Sequence, residues 1–120
     1  MPNHSASRQT LYSQKVIDAA AENSASVDCS NYIEGIIFIR VTAKSGTDTP
    51  TLDLDVEMSD DNTNWHKHSD VTQISDPTVP FKAGVVSVTN LGKYLRLNNP
   101  VIPGGTSPSF TTDAFIVLKN

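Results

Sequence analysis

The sequence predicts an all-β fold, an antiparallel β-sandwich or small jelly roll of about 8–9 short strands with an extended N-terminal arm. Three observations point there. Apolar and polar residues alternate without a break from Thr51 to Ser59, and Phe110 to Leu118 alternates again with Phe110, Thr112, Ala114, Ile116 and Leu118 on one side. Clusters of Asn, Asp, Gly and Pro separate these and other short apolar runs, and no stretch reads as a long amphipathic helix.

Taken in order, residues 1–10 hold only Met1, Pro2 and Ala6 as apolar groups. Such a segment buries too little surface to offset its ordering entropy unless a partner supplies contacts, so it reads as an arm ahead of a sandwich domain at 11–120. Leu11 to Ile17 is mixed, and Ala19-Ala20-Ala21-Glu22 adds helix propensity; an edge strand ending in a loop and a single helical turn both fit. Val27 and Cys29 alternate with polar neighbours in a short strand. Gly35-Ile36-Ile37-Phe38-Ile39-Arg40-Val41-Thr42 is the apolar, β-branched run of a strand covered on both faces.

Strand side chains point to opposite faces in turn, so Leu52, Leu54, Val56 and Met58 should face the core while Thr51, Asp53, Asp55 and Glu57 face water. Ser59-Asp60-Asp61-Asn62-Thr63-Asn64 is dense in residues that hydrogen-bond their own backbone, and Trp65 opens the next strand of a hairpin. Gly84–Thr89, Lys93–Asn98 and Phe110–Leu118 supply three further strands. Asp76–Pro80 is expected to be a loop or irregular edge, and Asn90–Gly92 and Pro100–Pro108 are expected to be turns or loops.

At 120 residues the chain supports one domain. A net charge of -4 and a pI near 5.1 leave no broad basic surface, so nucleic acid is not the expected partner. The longest apolar run, Ile36–Ile39, is far short of the roughly 20 residues that cross a membrane, and MPNHSASRQT lacks the apolar core of a signal peptide. The single cysteine, Cys29, excludes a disulfide within the chain.

No constellation reads as a catalytic or metal centre, and no cofactor is expected. Asp53, Asp55 and Glu57 line one strand face, but carboxylates two apart on a strand stand about 6–7 Å apart and point in parallel rather than converging on a cation. They read as a solvated face, or as a row that meets basic groups on a partner. His66 and His68 share the same spacing without a third zinc ligand, and nucleophile, phosphate and metalloprotease motifs are missing. Two placements stay open for Trp65. Beside Asn62, Asn64 and His66 it forms a candidate ligand-facing hairpin, with the indole as a sugar-stacking platform. Alternatively it packs into the core, which would also turn Lys67 inward.

The run T-P-T-L-D-L-D-V-E-M-S-D-D-N-T-N-W, followed by L-G-K-Y-L-R-L, a proline- and glycine-containing loop and G-T-S-P-S-F-T-T-D-A-F-I-V-L, resembles small β-sandwich virion proteins of tailed bacteriophages, of the capsid decoration or cement type. The earlier V-D-C-S-N-Y-I-E-G-I-I-F-I-R-V-T-A fits the same scheme, so the likeness spans about residues 25–118. Discoidin-like carbohydrate-binding domains share the S-D-D turn and tryptophan but are usually longer, with paired cysteines that this chain lacks. The phage resemblance implies a non-enzymatic virion protein, assembled in the bacterial cytoplasm. It would form a homotrimer that docks on the major capsid protein and bridges neighbouring capsomers. On that view the arm and its junction, Asn3, His4, Arg8, Gln9, Leu11 and Tyr12, are the expected protein-binding residues. The alternatives are another head–tail or tail accessory subunit, or a carbohydrate-binding module built on Trp65.

Overall fold

The computed structural model describes residues 6–120, which form ten strands and two antiparallel sheets. In the six-stranded sheet, β1 (Ala6–Ile17), β10 (Gly104–Lys119), β3 (Glu34–Leu52) and β6 (Ile74–Ser75) lie side by side in that order. β7 (Phe81–Lys82) and β8 (Val86–Val88) pair farther along the same edge of β3. The four-stranded sheet runs β2 (Val27–Asp28), β9 (Tyr94–Asn98), β4 (Asp55–Ser59) and β5 (His66–Asp70). Ten strands replace the expected eight or nine because the stretch from Ile74 to Val88 breaks into three short segments, two of them flanking the loop at Asp76–Pro80.

Both sheets turn their apolar sides into one core. Ile37, Ile39 and Val41 of β3 and Phe110, Ala114, Ile116 and Leu118 of β10 meet Val56, Met58, Leu95 and Leu97 of the other sheet. Each fully buried Val, Leu, Ile or Phe contributes about 1.5–3 kcal/mol relative to its exposed state. The alternation from Thr51 to Ser59 does more than make one strand. Leu52 pairs with Ile74 in the six-stranded sheet, whereas Asp55–Ser59 pair with β9 in the four-stranded one. The chain crosses between sheets at Asp53-Leu54, and Leu52, Leu54, Val56 and Met58 stay buried throughout.

Two sequence expectations change at the ends of β1 and β10. Residues Ala6–Thr10 are not a free arm: they pair in register with Phe115–Lys119, so the strand begins inside the expected arm. Leu11–Ile17 continues as that edge strand, followed by a turn at Ala19–Ala21, with no helix. The expected loop at Pro100–Pro108 ends early, because Gly104 and Thr106 pair with Thr51 and Thr47. β3 and β10 thereby run on as a two-stranded ribbon, exposed over residues 45–49. Its path needs left-handed backbone at Gly46 (φ 110°) and Gly105 (φ 103°), where an added Cβ would stand 2.8 Å from Pro108 Cα and from Thr47 O respectively. Pro108 is tolerated because β1 stops opposite Phe110, leaving that edge of β10 without a ladder partner.

Candidate functional site

The outward face of the six-stranded sheet differs from an ordinary solvated surface. Register places Phe38 of β3 directly opposite Phe115 of β10, both on the side away from the core. Their rings stack at 4.9 Å between centroids with 16° between planes. Arg8 of β1, diagonal to Phe115, lays its guanidinium 3.9 Å over that ring. On the other side of β3, Lys82 pairs with Arg40 in register, and the amide of Ala83 donates to the carbonyl of Ile39. This carries Val85 past Phe38, where it is 59% exposed.

Together these residues line a shallow groove of about 620 Å³ across the sheet, with Phe38, Phe115 and Val85 as its apolar part. Arg8, Arg40 and Lys82 supply three positive charges against the single carboxylate of Asp113. That carboxylate is already engaged. A bulge in β1 turns Gln14 into left-handed backbone (φ 46°), and its amide donates to Asp113 Oδ1 at 2.7 Å. Gln14 Nε2 donates to Asp113 Oδ2 at 2.5 Å, and Arg40 Nη2 at 3.1 Å. The backbone donor first, then Arg40 and the Gln14 side chain, hold the Asp113 carboxyl below the usual range. Among the described residues neither Arg8 nor Lys82 has a carboxylate within ion-pair distance. The groove is therefore basic and apolar on a chain whose net charge is -4.

The expected protein-binding residues divide. Asn3 and His4 lie outside the described residues. Arg8 is exposed on the groove, and Gln9 is exposed on the same strand with its side-chain amide bonded to Ser7. Leu11 and Tyr12, 4% and 3% exposed, are core residues and offer no side chain to a partner. The bulge between Thr10 and Tyr12 brings two successive residues inward. The Tyr12 hydroxyl donates to Glu22 O at 2.8 Å, fastening the Ala19–Glu22 loop, and burial raises its pKa. Phe38, Phe115, Val85 and Lys82 were not among the expected site residues. Phe38 reads from sequence as one more member of an apolar run, and only strand pairing shows which members face outward.

The hairpin is a different kind of surface. Asp61 accepts from the amides of Thr63 and Asn64 and from Asn64 Nδ2, which pulls its pKa far down and occupies the Asn64 side chain with the Asp61 carboxylate. Asn62 adopts φ 62° and donates its amide to the Ser59 hydroxyl. Trp65 is outside the core, half-buried on the outer face of the four-stranded sheet, with Arg96 stacked 4.3 Å from its ring centre. Lys67 accordingly points outward, bridging Asp55 (3.8 Å) and Asp70 (2.5 Å). Arg96 meets Glu57 at 2.7 Å, and Asp53 accepts from Gln73. The acidic row is thus answered within the chain. His66 is exposed, while His68, the extra residue of a bulge in β5, bonds Thr89 O at 2.7 Å. No three His, Cys, Asp or Glu side chains gather into a metal-sized cluster among the described residues. Cys29 is buried, and burial pushes its thiol up to about 11. No protein-family model matches the chain, and no curated protein is similar to it at a significant level.

Proposed function

We propose that this chain is a structural virion protein, a decoration subunit that docks on the outer surface of a tailed-phage head and ties neighbouring major capsid subunits together. The observation that carries the proposal is the outward sheet face, where exposed Phe38, Val85 and Arg8 and half-buried Phe115 form an apolar and cationic patch. Exposed aromatic groups of this kind mark surfaces that become covered. We also propose that the fold is a jelly roll, a reading that the strand order supports. If β6, β7 and β8 count as one interrupted strand, eight strands divide four and four between the two sheets, and successive strands change sheet everywhere except at the β4–β5 hairpin. Trimers at capsid symmetry positions, as the sequence resemblance implies, would add avidity to modest single contacts.

Retention on heads assembled without the protein is the test. Added chain should co-sediment with such heads and raise the temperature at which they open. Phe115→Ala should lower retention at least tenfold while leaving the fold intact. A wild-type chain that stays in the supernatant would remove the proposal. A glycan-binding reading keeps one specific support, the half-exposed Trp65 at the surface beside Asn62. It requires soluble glycan to quench Trp65 emission, and unchanged emission across a glycan panel would end it.

A further inference from the structure

We infer that the groove on the six-stranded sheet receives an extended acidic segment of a partner protein, in which two carboxylates flank an apolar side chain at alternate positions. The inference rests on the proposed docking role of this face and adds the chemistry of what docks. Three features lead to it. First, the groove gathers Arg8, Arg40 and Lys82 on a chain of net charge -4, so the local charge opposes the global one and selects an acidic partner.

Second, only two of the three cations are available. Arg40 is bound to Asp113 at 3.1 Å, whereas Arg8 and Lys82 lack a carboxylate partner among the described residues. Arg8 is instead positioned over the Phe115 ring, which fixes its guanidinium at the aromatic floor.

Third, their separation sets a spacing. From Phe115, beneath Arg8, to Lys82 is two strands across and two residues along, which is roughly 12 Å. In an extended peptide, residues four apart stand about 13 Å apart on the same face, and the residue midway shares that face. The pattern acid–x–apolar–x–acid therefore sets one carboxylate on Arg8, one on Lys82, and the middle side chain on the Phe38–Phe115–Val85 floor. Compact ammonium and planar guanidinium groups both accept a carboxylate, and the guanidinium can do so bidentately.

The test uses ¹⁵N-labelled full-length chain and a capped peptide, Asp-Ser-Leu-Ser-Asp, with its Lys-for-Asp counterpart and a short oligothymidylate as comparison probes. The acidic peptide should give saturable amide shifts centred on Arg8, Phe38, Lys82, Val85 and Phe115, and the lysine peptide none. The Arg8→Glu, Lys82→Glu double variant, at two exposed positions, should keep its dispersed spectrum. It should lose acidic-peptide affinity at least tenfold and acquire affinity for the lysine peptide. Absent or scattered shifts with the acidic peptide overturn the inference, as does an unchanged preference in the double variant. Tighter groove binding by oligothymidylate overturns it in favour of nucleic acid. If the peptide fails while Phe115→Ala still loses head retention, the inference alone falls. If the peptide binds and heads retain the double variant and Phe115→Ala fully, the docking role of this face falls instead.

Discussion

Asp113 ties three strands together on the groove side of the sheet, accepting from the Gln14 backbone, the Gln14 side chain and Arg40. Its carboxyl is held below the ordinary range, chiefly by the Gln14 amide. A depressed carboxyl contributes stability that is present above its unfolded-state pKa and is lost as pH falls through the lower folded value. The Gln14 amide resonance should therefore titrate with a midpoint below the usual carboxylate range, and Asp113→Asn should abolish that titration. The same substitution should cost about 1 kcal/mol near neutral pH, the size of a net hydrogen-bond loss. A Gln14 resonance that titrates unchanged in Asp113→Asn would show that another group is being reported. On the opposite sheet, Arg96→Ala removes the guanidinium from the Trp65 face and breaks the 2.7 Å contact to Glu57. Tryptophan emission should move to longer wavelength as water reaches the ring; unchanged emission would mean that the stack does not persist in solution.

Elements respond differently to the same chemical change. An added Cβ at Gly35 would stand 2.8 Å from Ile116 Cδ1, 3.1 Å from Ile116 Cγ1 and 3.2 Å from Leu118 Cδ2, all inside the core. At Gly84, between β7 and β8, it would meet nothing within 4 Å. Gly35→Ala should destabilise by about 1–3 kcal/mol through overpacking. Gly84→Ala should be neutral or mildly stabilising, because it chiefly restricts the unfolded chain. Denaturant midpoints of the two variants check the contrast, and equal losses would contradict the packing described here.

The same scale explains what the sequence made legible. Thr51–Ser59 and Phe110–Leu118 were readable because one face of each is buried along its whole length, so period-2 alternation survives even where the chain changes sheets at Asp53-Leu54. The ribbon of β3 and β10 was not readable. Water meets both of its faces over residues 45–49, and Pro, Gly and Ser along the ribbon carry turn signals while the backbone is paired. Leu11 and Tyr12 were misplaced because a bulge sets two neighbours inward, and His68 was separated from His66 by another. The groove was legible only through Arg8. Its aromatic floor is a cross-strand pair of residues 38 and 115, and such pairing is a property of register rather than of local pattern.

At the scale of the whole molecule, the two sheets present opposite surfaces. The four-stranded sheet pairs Lys67 with Asp55 and Asp70, and Arg96 with Glu57, so both cations there are engaged by carboxylates of the same chain. The six-stranded sheet shows the Phe38–Phe115 stack with Arg8 and Lys82 beside it, neither of them ion-paired among the described residues. A stiff body of 52 × 30 × 19 Å with one such face is suited to lie flat against a larger assembly. Sedimentation equilibrium should return a trimer if the subunits associate before docking, and a monomer at all concentrations would remove preassembly from the proposal. Imaging of intact particles by cryo-electron microscopy tests the central claim most directly. Density for this chain is expected on the outside of the head, with Phe38, Phe115 and Arg8 turned toward the capsid shell. Density confined to the tail, or a chain seated through the Trp65 sheet with the aromatic pair facing solvent, would contradict it.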